Sequence, residues 1–96
     1  MKKFVLLGVG YENPTKEIVD AWMKWFDDIK GYIVDSGNPL GPGKEVTHSG
    51  IKELAHDKNA ISGYTIINAE SMDEAVKIAK RCPIITGMRV YEAMSM

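Results

Sequence analysis

Between Gly63 and Pro83 the apolar period of the chain changes once, and that change restricts the fold more than any other feature of the sequence. Gly63-Tyr64-Thr65-Ile66-Ile67-Asn68 is rich in aromatic and β-branched residues and reads as a strand. Ser71-Met72-Asp73-Glu74 follows as a capping box, whose hydroxyl and carboxylate satisfy two of the amide donors left free at a helix start. Met72, Ala75, Ile78, Ala79 and Cys82 then form an inward stripe at helical spacing, and Pro83 stops the helix. A second strand and helix precede them. Phe4 to Val9 is a short apolar run ending in Gly8-Val9-Gly10, and Asn13-Pro14-Thr15 offers a helix entry. Ile18, Trp22, Trp25 and Ile29 recur at i, i+4, i+7 and i+11, with Val19 and Phe26 widening the stripe. Gly31 closes this helix after Lys30, Tyr32-Ile33-Val34-Asp35-Ser36 reads as a strand, and Met88 to Met94 alternates as a last one.

The order is therefore β-α-β, an irregular insertion, then β-α-β, which predicts a single α+β domain over residues 1–96 with a ferredoxin-like arrangement. The insertion opens at Gly37 to Gly43, where three glycines and two prolines in seven positions exclude the middle of any regular element. Glu45-Val46-Thr47-His48 is expected to be a short strand, and Ile51 to Lys58 to hold one helical turn. Both long helices of such a fold cover one sheet face, so the other is solvated, closed by a partner or used as a pocket wall. A chain of 96 residues buries only roughly 60–65% of the surface its unfolded form exposes, which makes homodimerisation the economical answer.

Composition narrows the function classes. Apolar residues at 45% and charged residues at 26% describe a globular chain, and no stretch approaches the roughly 20 apolar residues of a membrane span. The apolar run after Met1-Lys2-Lys3 is too short for the hydrophobic region of a signal peptide, and it reads as a first strand. Cys82 is the one cysteine, so no intramolecular disulfide forms, and a free thiol suits a reducing, cytoplasmic setting. The formal charge is −1 with lysines and acids interspersed, which leaves no basic stripe for nucleic acid and none for a membrane surface.

The opening Phe4-Val5-Leu6-Leu7, the stretch Trp22-Met23-Lys24-Trp25-Phe26 leading to Gly31-Tyr32-Ile33-Val34-Asp35-Ser36-Gly37-Asn38-Pro39-Leu40, and Gly63-Tyr64-Thr65-Ile66-Ile67 with Ser71-Met72-Asp73-Glu74-Ala75 together resemble the YCII-related proteins, including their DGPF-type branch. The resemblance covers Lys3 to about Met94. It implies a dimeric α+β barrel, in which two four-stranded sheets pack face to face and small-molecule pockets lie between each sheet and its helices. The enzyme-like members are expected to carry a histidine in helix one that works with an aspartate. Helix one here has no histidine, and counting back from Gly31 puts Asp20, or Trp22, in its place. The DGPF-type stretch aligns with Val46-Thr47-His48-Ser49-Gly50-Ile51, where His48 replaces the aspartate and Ser49-Gly50 the Gly-Pro. Resemblance thus implies fold and dimer and leaves activity open.

His48 is the best single candidate for proton chemistry, because imidazole titrates near neutrality and the glycine-rich loop before it suits a pocket rim. Asp20 or Asp35 would orient it, and Trp22 and Tyr64 would wall a pocket between helix one and the sheet. The plain alternative is that His48 holds a loop, the aspartates face solvent, and the tryptophans of so small a domain are core. His56 lies eight positions from His48 with Glu53 between, a spacing that places no ligand set on one helix face, so no metal is expected. Gly37 to Lys44 lacks the glycine and hydroxyl positions of a phosphate-binding loop, and its prolines remove amide donors. No cofactor is expected. Two functional readings follow: a homodimeric small-molecule-binding domain, with acid-base chemistry if it is an enzyme, or a non-catalytic binding or regulatory module.

Overall fold

A computed structural model describes residues 1–96. Eight elements follow in order: β1 (Lys2–Val9), α1 (Lys16–Asp28), β2 (Ile33–Asp35), β3 (Lys44–Thr47), β4 (Gly50–Glu53), β5 (Ile61–Ala69), α2 (Met72–Lys80) and β6 (Gly87–Glu92). Four of the strands form one antiparallel sheet in the order β2-β5-β1-β6, the ferredoxin-like order. The other two make a separate hairpin.

Register decides which side chains face the helices. Phe4 sits opposite Ile67 and Leu6 opposite Thr65, and all four are buried. Their neighbours Val5, Leu7, Tyr64 and Ile66 therefore point to the other face. The helices close only the first face. Phe4, Leu6, Ile67 and Ala69 from the strands meet Trp25 and Ile29 of the first helical segment and Ala75, Ile78, Ala79 and Cys82 of the second. Trp25 is the largest of these buried side chains, and its indole Nε1 donates to the Ile78 carbonyl at 3.1 Å, which ties α1 to α2. Thr65, a buried polar residue, donates its hydroxyl to the Ser36 carbonyl at 3.2 Å.

Each helix begins on the residue that its local chemistry favours. The Thr15 hydroxyl accepts from the Ile18 amide, and the Ser71 hydroxyl accepts from the Glu74 amide at 3.2 Å. The Glu74 carboxylate accepts from the amide of Glu70 at 3.0 Å, one residue before the position a strict capping box uses. Two members of the expected stripes are exposed, Val19 and Met72, both in first helical turns, and Ile18 is half-buried outside the core.

The largest departure from expectation lies in the insertion. Past Asp35 the chain re-pairs with β5, since the Leu40 amide donates to the Ser62 carbonyl and Pro39 bridges Gly63. Gly37 makes the step between the two pairings at φ +74, where a Cβ would lie 1.7 Å from the Tyr64 carbonyl oxygen. The edge strand is thus bulged and reaches into the glycine-proline stretch that composition reads as loop. Of Ile51 to Lys58, expected to hold one helical turn, the first three residues instead belong to β4, because Gly50, at φ +149, turns the chain back so that Val46 pairs with Ile51. All eight residues of this hairpin are exposed, and it contacts no other strand or helix. The molecule is flat, 41 × 40 × 18 Å, one sheet with one helical layer and an arm.

Candidate functional site

The C-terminal end of β1 and the N-terminal ends of β5 and β6 meet at one edge of the fold, and α1 passes over it. There the structure forms a cleft under Trp22, between Gly8-Val9-Gly10, Ser62, the Cys82-to-Ile85 turn, and Gly87-Met88. Trp22 stacks edge-on against Trp25 at 5.6 Å, so its ring is braced from the core side while its other edge borders the cleft. Gly10 adopts φ +111 and passes so close to Ile85 and Thr86 that a Cβ would clash with both. The Thr86 hydroxyl bonds the Lys58 carbonyl, and the Gly10 amide donates to the Ala60 carbonyl at 2.7 Å, which pins the three turns together. The free volume of the cleft is about 10 Å³. That is close to what one water requires, so an organic ligand enters only if the walls part.

Among the residues expected in the pocket, Trp22 alone lines this cleft. Tyr64 is on the opposite sheet face, because β5 alternates and Thr65 takes the helix side; its hydroxyl accepts from the Asn38 side-chain amide at 3.3 Å. Asp35 is exposed and caps its own turn, its carboxylate accepting from the Gly37 amide at 2.8 Å. Asp20 is exposed on α1. His48 is exposed in the turn that joins β3 to β4, and no carboxylate lies within 4.0 Å of it. The expected grouping of His48, Asp20, Trp22 and Tyr64 around one pocket is therefore not present within a single chain.

His56 is half-buried beside Tyr11, ring centroids 3.9 Å apart and edge-on, and its Nε2 is enclosed without a hydrogen-bond partner. No three His, Cys, Asp or Glu side chains come together as a ligand set. Cys82 borders the cleft but is buried, and burial pushes its thiol from 9.0 up to about 12, which keeps it neutral and unreactive. A second, open hollow of about 320 Å³ runs along the hairpin between Glu45, Thr47, Ser49, Gly50, Ile51 and Lys52.

The cleft is built mainly from turns, and residue-type motifs pass over such features. Gly8-Val9-Gly10 and the proline after Cys82 were legible as element ends, and those ends are its walls. Ser62 and Met88 offered no signal beyond their place in strands.

The face of the sheet away from the helices carries Val5, Leu7, Val34, Tyr64, Ile66 and Tyr91, with Lys3, Asn68 and Arg89 among them. Nothing in the chain covers it. The chain exposes 6925 Å², against about 5,500 Å² expected for a monomer of 10.7 kDa. The excess reflects the flat shape and the protruding hairpin as well as the open sheet face. No helix is long and apolar enough to cross a membrane.

No protein-family model matches the chain, and no curated protein matches it by sequence. Among solved structures, its fold is similar to that of 5-chloro-2-hydroxyhydroquinone dehydrochlorinase from Burkholderia phenoliruptrix AC1100, in complex with 2,5-dihydroxybenzoquinone. The TM-score is 0.60 and the identity 19%, with 98% of this chain and 95% of that chain covered. The likeness is one of fold over essentially the whole domain.

Proposed function

We propose that this chain is a YCII-like domain that binds a small organic molecule at the cleft under Trp22, whose walls part to admit it, and works as a cytoplasmic homodimer joined through its open sheet face. The cleft carries the reading. It is the place where an aromatic ring braced by the core, apolar side chains and the Ser62 hydroxyl converge, the composition expected of a small-molecule site. A solved structure of similar fold holds a dihydroxybenzoquinone, which makes hydroxylated aromatic compounds the first class to try. The uncovered sheet face supports the dimer.

Acid-base chemistry without a cofactor is the catalytic form of this proposal. In that form His48, exposed at the hairpin turn, would move the proton and Asp20, exposed on α1, would orient it. A specific observation favours the second reading, a non-catalytic binding or regulatory module: neither histidine has a carboxylate within 4.0 Å.

Titration of the protein with 2,5-dihydroxybenzoquinone and with hydroquinone, read by tryptophan fluorescence and by calorimetry, tests the binding site. Binding that weakens tenfold or more in Trp22→Ala while the fold persists is expected. Heat and quenching unaltered by that substitution would put any ligand elsewhere. No binding at all would leave the structural module.

A further inference from the structure

Along the helix-facing side of the sheet, β1 and β5 set Phe4 opposite Ile67 and Leu6 opposite Thr65, and the next pair on that side is Gly8 opposite Gly63. No side chain fills this third layer, so the backbone at Gly8 forms the floor of the cleft under Trp22. Past that pair the register slips, because Val9 meets Ile61 and Ser62 is left as the extra residue of a β-bulge. Strict alternation from Thr65 would turn Ser62 to the open sheet face. The bulge re-aims it, and Ser62 lines the cleft instead. Its hydroxyl has one partner within the chain, the Gly8 carbonyl at 3.5 Å, which is too long to hold it firmly. Ser62 carries the only side-chain hydroxyl of the cleft, and no charged side chain lines it.

We propose that Ser62 is the polar anchor of the cleft and that the cleft selects an uncharged, flat ring with a hydroxyl at its edge. The proposal rests on the small-molecule reading above and names the chemistry of the ligand. Flatness follows from the walls, since an indole ring on one side and bare glycine backbone on the other both offer surface to the face of a ring. Neutrality follows from the lining, because a carboxylate or phosphate would lose its hydration there with no cation to pair with. The hydroxyl follows from the anchor. A serine Oγ both donates and accepts, so it exchanges its long bond to Gly8 for a shorter one to a phenolic oxygen. The wall that gives way is the one outside regular structure, the Ile84-Ile85 turn, where both side chains are already exposed at the mouth.

Phenol, toluene and benzoate test this, as single rings that differ in one substituent. Each is titrated into the full-length protein, Ser62→Ala and Gly8→Ala, with affinity read from amide chemical shifts. A methyl group at Gly8 meets only the Ser62 Oγ at 3.6 Å and the Gly63 carbonyl at 3.9 Å, so this variant keeps its fold and fills the floor. Phenol is expected to shift the amides of Gly8, Ser62 and Gly87 and to bind about tenfold tighter than benzoate. Ser62→Ala should weaken phenol about fivefold, the effect of losing one neutral hydrogen bond, and leave toluene unchanged. Gly8→Ala should weaken phenol and toluene alike. If Ser62→Ala leaves phenol unaltered, or weakens phenol and toluene equally, while Gly8→Ala still weakens both, the anchor is overturned and the cleft stands as a binding site. Benzoate binding as tightly as phenol overturns the selection for an uncharged ring. Phenol affinity indifferent to Gly8→Ala, or no binding of any of the three, overturns the cleft reading and the anchor together.

Discussion

β5 and the β3–β4 hairpin each carry β-branched residues, and these meet opposite fates. Ile67 of β5 is fully buried against Phe4 and the helices, whereas Ile51 of β4 is 71% exposed opposite Val46. Both satisfy the pleated backbone equally well. The difference lies in what stands behind the pleat, a two-helix layer in one case and solvent in the other. A pleated backbone therefore forms in both places, and only the covering layer decides how much free energy each strand contributes.

Removing the covering layer gives the largest expected effect. Trp25→Ala deletes the biggest buried side chain and leaves the Ile78 carbonyl without its indole donor, so urea unfolding should show a loss of about 3–5 kcal/mol. Val46→Thr, measured on dilute protein, should shift the same midpoint by no more than about 0.5 kcal/mol. Equal losses at the two sites would break the contrast between body and arm.

The joint between the two regions comes next. Gly37→Ala places a methyl group 1.7 Å from the Tyr64 carbonyl oxygen at a left-handed backbone position. A loss of about 2 kcal/mol is expected, with faster amide exchange from Ile33 to Leu40 and little change across the Phe4 to Leu7 core strand. Uniform exchange changes would mean that the edge and the core unfold as one unit.

A smaller effect than that at Gly37 concerns the dryness of the body interior. Because burial raises the folded Cys82 thiol from 9.0 to about 12, its contribution is complete below pH 9. Above that pH the unfolded chain loses a proton that the folded chain keeps, so stability falls as pH rises towards 12. At pH 10 the loss should be about 1 kcal/mol, absent in Cys82→Ala, as read from paired denaturation curves. An identical pH slope in the two proteins would show that water reaches the thiol.

The legible parts of the fold were those in which one local signal decides the outcome. The Ile18, Trp22, Trp25, Ile29 stripe and the Ser71 cap specify helices through spacing and hydrogen bonding alone, and both helices form there. Tyr64 shows the limit. Its membership of a strand was plain, but its side of the sheet depends on pairing with β1, and a one-residue step reverses it. The bulged edge was hidden for a related reason, since glycine and proline in Gly37 to Gly43 break local periodicity even where the backbone re-pairs with Ser62 and Gly63. At the candidate site, the turns that wall the cleft are contributed by three distant stretches, and no spacing along the chain announces that they meet. His48 was singled out by its chemistry, which carries no information about the reach of the arm that holds it.

The two ends of the arm leave the body side by side, for the Leu54 amide donates to the Gly43 carbonyl at 3.0 Å directly before the hairpin begins. Such a clasped base makes the segment modular: residues can be gained or lost beyond it without moving β2 or β5. One residue added to each strand would turn the Val46 and Ile51 pair to the opposite face, while two would restore it further out. The reach of the arm can therefore change in steps of four residues while its apolar pair stays aimed the same way.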